Sequence, residues 1–322
     1  MRLRSAILAV VFAFLPLCAH AAGICKLRNL TPAFVTFYDA TKALPPEKRA
    51  DLFVTQFAPK YAFFYGNMEF GDAQKLGKAS LRLLDPTHPE HLAGFPPLTD
   101  ARFRAVAQAI EPDFIAAQEK FLKAFPDFRC EADVAFGPSF LSFDGNGFTD
   151  AKGWHMLFGV DTIALLHGPQ DMPAFFSHEL FHIYHQQILR GQIPKDDAVT
   201  WWAMWEEGLA TYISQRMNPS LPAQQVLWFP TDIVARMQAP GVMVRAAKLM
   251  LENFDKSDSA HSLFFESGHS TSGLPPRAGY YMGYRMAVEL GRDHSLAWLA
   301  RLHPADVKTR ARAFLEKTAN GN

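Results

Sequence analysis

From about Thr31 to Phe125 apolar and charged residues alternate at helical spacing, as in Glu47-Lys48-Arg49-Ala50-Asp51-Leu52-Phe53 and Phe114-Ile115-Ala116-Ala117-Gln118-Glu119-Lys120-Phe121. The stretch predicts several amphipathic helices. From about Ala132 the pattern shortens to β-like runs, Val134 to Phe136 and Phe140 to Phe143, followed by the turn-rich Asp144-Gly145-Asn146-Gly147. A small antiparallel or mixed sheet is expected there, its last strand running from about His155 to Leu166. The Asp-Gly-Asn-Gly turn resembles a calcium loop, but His155 stands where such a loop needs its bidentate glutamate, and a hairpin turn accounts for the composition. Beyond Asp171 the chain reads as mainly helical, so the pattern predicts an α+β fold dominated by helices.

The N-terminus follows a different rule. Met1-Arg2-Leu3-Arg4 precedes an apolar run from Ala6 to Leu17, then Ala19-His20-Ala21, a small-x-small cleavage site. Residues 1–21 are expected to be a cleaved signal peptide, since the run is short for a bilayer span and Pro16 interrupts it. Residues 22–322 would then form a single domain, 22–130 mainly helical and 131–322 carrying the chemistry, in a secreted or periplasmic protein with no stable membrane insertion. Loss of Arg2 and Arg4 leaves 30 basic against 32 acidic residues, a balance that argues against a nucleic-acid partner. Cys18 leaves with the signal, and Cys25 and Cys130 remain as an even pair for a disulfide in an oxidising compartment.

Asp171 suits an N-cap and Pro173 a first helical turn, which predicts a helix from there to about Arg190, with Gly191 beyond it. His178-Glu179-Leu180-Phe181-His182 lies inside. Side chains four apart stack on one helix face, so two imidazoles can converge on one ion. Glu179 is turned about 100° from His178, which makes it a general base rather than a further ligand. The five-residue pattern arises by chance in roughly 2% of such chains, but Phe175, Phe176, Leu180, Phe181 and Ile183 make this helix apolar on nearly every face. Buried imidazoles and a carboxylate without partners are costly, and a bound cation removes that cost.

The third ligand must come from elsewhere. A metzincin would need Gly at 185 and His at 188, where this chain has His185 and Ile188. A second helix, about Ala198 to Met217, offers adjacent Glu206 and Glu207, with Gly208 and Ala210 small enough for close approach to the first helix. His-Glu-x-x-His followed by Glu-Gly-Leu-Ala some two dozen residues on resembles the glutamate-zincins, especially a bacterial family of predicted zinc-dependent proteases. The resemblance covers about His155 to Leu290 and implies a zincin-like fold, one Zn2+ per chain, and a metal set of His178, His182 and Glu207. Glu206 is the competing carboxylate. Where the thermolysin branch has an Asp four residues after its ligand Glu, this chain has Thr211. His185 is read as a support to the ligands or a core residue.

The implied activity is hydrolysis of peptide bonds, with Glu179 moving the proton between water and the leaving amine. Oxyanion donors are sought in Pro275-Pro276-Arg277-Ala278-Gly279-Tyr280-Tyr281-Met282-Gly283-Tyr284-Arg285, similar to the family's late Gly-Tyr-x-x-Gly-Tyr segment, where Tyr280 and Tyr284 would share a helix face. The expected partner is a peptide or protein substrate, paired along the strand from His155. A zinc amidase acting on cell-wall material and a non-catalytic binding protein are the alternatives. The retained base at Glu179 counts against the latter.

Overall fold

A computed structural model describes residues 24–66, 70, 72–85, 96–151, 153–168, 170–229, 231–257, 262–267 and 272–321. The expected signal peptide lies outside them. Strand β1 (Lys26–Asn29) leads into helices α1 (Thr31–Thr41) and α2 (Pro46–Leu52), a π turn and a 3-10 turn, then α3 (Ala62–Tyr65), α4 (Ala73–Leu84) and α5 (Asp100–Ala124). Strands β2 (Asp133–Gly137), β3 (Gly145–Asp150) and β4 (Gly153–Gly159) follow, and β4 runs straight into α6 (Val160–Leu166). The rest is helical: α7 (Met172–Ile188), α8 (Thr200–Met217), α9 (Ala223–Leu227), α10 (Ile233–Gln238), α11 (Val242–Glu252), α12 (Ala278–Leu290), α13 (Leu296–Ala300) and α14 (Pro304–Ala319).

The described chain is mostly helical with one small mixed sheet, an α+β composition. Strand order is β1-β2-β4-β3, with β1 and β4 parallel to β2 and only β3 antiparallel to β4. Two strand expectations are corrected and one strand is new. β1 was not foreseen, the strand expected to reach Leu166 ends at Gly159, and Phe140 to Phe143 form a turn rather than a strand. Phe140 and Leu141 sit at φ 53° and 62°, a left-handed conformation costly for bulky residues. The fully buried carboxylate of Asp161 holds it by accepting hydrogen bonds from the backbone N–H groups of Ser139 (2.6 Å) and Leu141 (2.7 Å). Phe140 is thereby aimed into the core, its ring centroid 4.8 Å from that of Phe53. Its hydrophobicity reflects that burial and not a strand. The expected Asp-Gly-Asn-Gly turn is itself the start of β3, whose hairpin with β4 turns after Asp150.

The Cys25–Cys130 disulfide ties the start of β1 to the segment before β2. Phe136 and Phe158 on β2 and β4 stack with centroids 5.5 Å apart, and both face Phe176 of α7 and Phe114 of α5. The sheet thus packs on α7 through aromatic rings. α7 runs antiparallel to α8, the two joined where Ser214 Oγ donates to the Ala174 carbonyl (2.7 Å). Gly208 serves a different contact from the expected one. A Cβ there would lie 2.1 Å from the backbone of Gly283, so the glycine permits close approach of α8 to α12 rather than to α7.

Candidate metal centre

α7 begins at Met172 with Asp171 at its N-cap and Pro173 in the first turn, as the sequence predicts. The Asp171 carboxylate accepts from Gln225 instead of capping the helix. His178 and His182 share the face turned towards α8, where Glu207 meets them. The Nε2 atoms of the two histidines are 3.0 Å apart, and Glu207 Oε2 lies 3.2 Å from His178 Nε2 and 3.6 Å from His182 Nε2. Tetrahedral zinc with ligand bonds of about 2.0–2.1 Å requires donors about 3.3 Å from one another, so the donor set fits that ion in type and in spacing. Among the described residues these three form a group able to hold a metal. Glu206 lines the same cleft without joining them.

The charges agree with a cation site. Burial pushes His178 down to about 4. Burial also opposes charge on His182, but the Glu207, Glu179 and Glu206 carboxylates outweigh it and push that imidazole up to about 10. Burial opposes charge on Glu207 too, and the two imidazoles hold its carboxyl well below the usual range. Burial raises Glu179 to about 8 and Glu206 to about 7. A dication would reverse that pressure on Glu179, because its own charge favours neighbouring carboxylates.

The three donors open onto a cavity of about 350 Å³, lined also by Glu179, Asp144, His167, Trp228, Arg277 and Tyr280. Gly145 and Gly147 of β3 form part of its wall; a Cβ on Gly145 would come 3.3 Å from the Glu179 carboxylate and 3.1 Å from Met156 Cε. Glycine in this strand leaves room for the carboxylate, a use of the Asp-Gly-Asn-Gly sequence that the turn reading overlooked.

Residues 147–303, just under half of the chain, match a family model described as "Putative zinc dependent peptidase (DUF5700)". The match supports a zinc peptidase. No curated protein and no solved structure matches the chain significantly. The matched span begins in β3 and contains all three candidate ligands, Glu179 and both late tyrosines.

The two tyrosines part company. Tyr280 lines the cleft, its ring nearly parallel to that of His178 at 6.4 Å, and no described residue accepts its hydroxyl. Burial pushes that hydroxyl well above its ordinary pKa, which keeps its proton available for donation. Tyr284 is not brought to the cleft; it packs on Tyr212 and its hydroxyl donates to Gln215 Oε1 at 2.5 Å. α12 turns Tyr280 and Tyr284 to different neighbours, and one face does not serve both. His185 is fully buried between the rings of Phe181 and Trp202, and burial pushes it down to about 3. It is a core residue with no described hydrogen bond to a ligand.

Sequence reasoning missed two cleft residues, His167 and Trp228, and named a third, Arg277, only as part of the late donor segment. His167 Nε2 lies 3.0 Å from Asp144 Oδ2, and its ring stacks on Phe175 at 4.5 Å. Trp228 stands beside His178 at 5.2 Å between ring centroids, with φ 56°. Arg277, at φ 58°, precedes α12. His167 and Trp228 follow no motif, and they reach the cleft because the residues that follow α6 and α9 lie against Phe175 and His178 of α7. Arg277 does adjoin a motif, immediately before Ala278-Gly279-Tyr280.

Proposed function

We infer that this chain is a glutamate-zincin metallopeptidase in which His178, His182 and Glu207 hold one zinc ion. The reading rests on one observation: three donors of the right chemistry converge within 3.6 Å on two facing helices, beside a carboxylate and an open cleft. A zincin-like arrangement is supported by the mixed sheet packed along α7, with β3 at the cleft edge.

When bound, zinc supplies Lewis-acid stabilisation of charge on oxygen and lowers the pKa of water. Glu179 Oε takes the proton from the attacking water and returns it to the leaving amine nitrogen. The Tyr280 hydroxyl donates to the oxygen on which negative charge develops. β3, rather than the strand from His155, offers its free edge to an extended peptide, because β4 is enclosed between β2 and β3. Tyr284 has no part in this chemistry. The protein acts on peptides or proteins, after secretion or export to the periplasm, and takes no nucleic acid.

Glu179→Gln tests the division of labour. Zinc content measured by elemental analysis is expected to stay at one per chain, while peptide hydrolysis falls by about 10²–10⁴-fold. Undiminished hydrolysis by that variant rules the mechanism out, and a panel containing peptidoglycan fragments separates a peptidase from an amidase.

A further inference from the structure

Arg277 is nine-tenths buried, lines the metal cleft and is the sole Lys or Arg among the described lining residues. Its Nε is buried without a hydrogen-bond partner, and its side chain donates to no described residue. No described carboxylate lies within 4.0 Å of the guanidinium. Of the acids that share the cleft, Asp144 pairs with His167 and Glu207 with the two imidazoles, and Glu179 feels the charge of Arg277 without forming an ion pair with it. A buried guanidinium without a hydrogen-bonded anion is costly, and the cleft carboxylates Asp144 and Glu179 offset that cost only at a distance.

Two aromatic rings hold it instead. The guanidinium carbon lies 3.8 Å from the Tyr280 ring centroid and 5.6 Å from that of Trp228. Contact through ring faces fixes the plane of the group without using its N–H donors, which stay free for a planar, two-oxygen acceptor. The backbone on which it stands is strained as well, since a non-glycine residue at φ 58° is retained only where its surroundings impose it.

The geometry points to Arg277 as the docking residue for a carboxylate of the substrate, either the free C-terminus of a peptide or an acidic side chain near the bond that is cut. The identity of the substrate as a peptide rests on the zinc peptidase reading; the carboxylate site rests on Arg277 alone. It predicts a preference that neither the metal nor Glu179 would impose.

The test is equilibrium binding, by titration calorimetry, to the full chain carrying Glu179→Gln, so that turnover does not intervene. The probes are N-acetyl-diphenylalanine as the free acid, its C-terminal amide, and an amidated peptide with one internal glutamate. One carboxylate-bearing probe is expected to bind about 10- to 100-fold more tightly than the amide, and Arg277→Met to erase that difference while binding the amide nearly as before. Arg277→Lys, which bears the same backbone strain, should restore part of it. Preference for the free acid identifies a C-terminal carboxylate, and preference for the internal glutamate identifies a side chain. Equal binding of all three probes by the Glu179→Gln chain overturns the proposal without need of any Arg277 variant. So does a preference that survives Arg277→Met, or the absence of binding by every probe. If the preference is found in protein that takes up no zinc even from excess, the metal reading fails and the carboxylate site stands.

Discussion

The N-terminal aromatic layer and the metal cleft bury their side chains for opposite ends. In the layer, Phe34, Phe53, Phe57, Tyr65 and Phe140 meet largely edge to face, with centroids 4.8–6.4 Å apart. In the cleft, Asp144, His167, His178, Glu179, His182, Glu206, Glu207 and Arg277 share one cavity. The buried arginines show the contrast at a single residue type. Arg49 lies over Tyr38, outside the cleft, and donates to the Leu84 carbonyl while its Nε and Nη2 stay unpartnered; Arg277 lies over Tyr280, lines the cleft and donates to no described residue. The layer is built for packing, and the cleft keeps charged groups that packing alone would remove.

A substitution in the layer should therefore act on stability and one in the cleft on chemistry. Phe53→Ala removes a fully buried ring with several aromatic neighbours. It is expected to cost about 3–5 kcal/mol by urea denaturation, with zinc content unchanged in the folded fraction. If its main effect were loss of metal, the two regions would not be separable.

Within the cleft the sharper comparison is between two tyrosines on one helix. Tyr280→Phe should lower kcat by about 100-fold with little change in stability. Tyr284→Phe loses a hydrogen bond to Gln215 remote from the metal and should leave kcat nearly unaltered. Equal effects on kcat would return both tyrosines to the same role.

Asp144 lies on the border between the two kinds of burial. Burial works against its charge, but the hydrogen bond and charge of His167 outweigh it and hold the carboxyl below its ordinary value. A depressed folded pKa contributes stability above the unfolded value of about 3.9 and loses it as pH falls through the folded value. Asp144→Asn is expected to destabilise by about 1–2 kcal/mol at neutral pH, a difference that shrinks as the pH is lowered below about 4. Denaturation midpoints across that range provide the check, and a difference that grows in acid would reverse the assignment.

The elements most legible in the sequence were those whose signals are local. α7 and α8 carry long buried faces; helical spacing named 178 and 182, and the resemblance to the Glu-Gly-Leu-Ala pattern named 207 over 206, before their distances were known. The disulfide between Cys25 and Cys130 followed from having two cysteines after the expected signal cleavage. What escaped depends on contacts between distant segments. Phe140 to Phe143 look like a strand because their hydrophobicity is real, yet Asp161, about twenty residues on, bends them into a turn. β1 is four residues long and acquires its meaning only by pairing with β2. Arg277 was named only within a candidate segment, because nothing in its own sequence shows that Trp228 and Tyr280 will enclose it.

The central claim is that His178, His182 and Glu207 bind zinc together. Anomalous diffraction at the zinc edge, on crystals of the full chain purified without added chelator, addresses it most directly. The account predicts one peak per chain, equidistant to within a few tenths of an ångström from the two Nε2 atoms and the Glu207 carboxylate oxygen. A peak held by other residues, or none after growth in excess zinc, would contradict it.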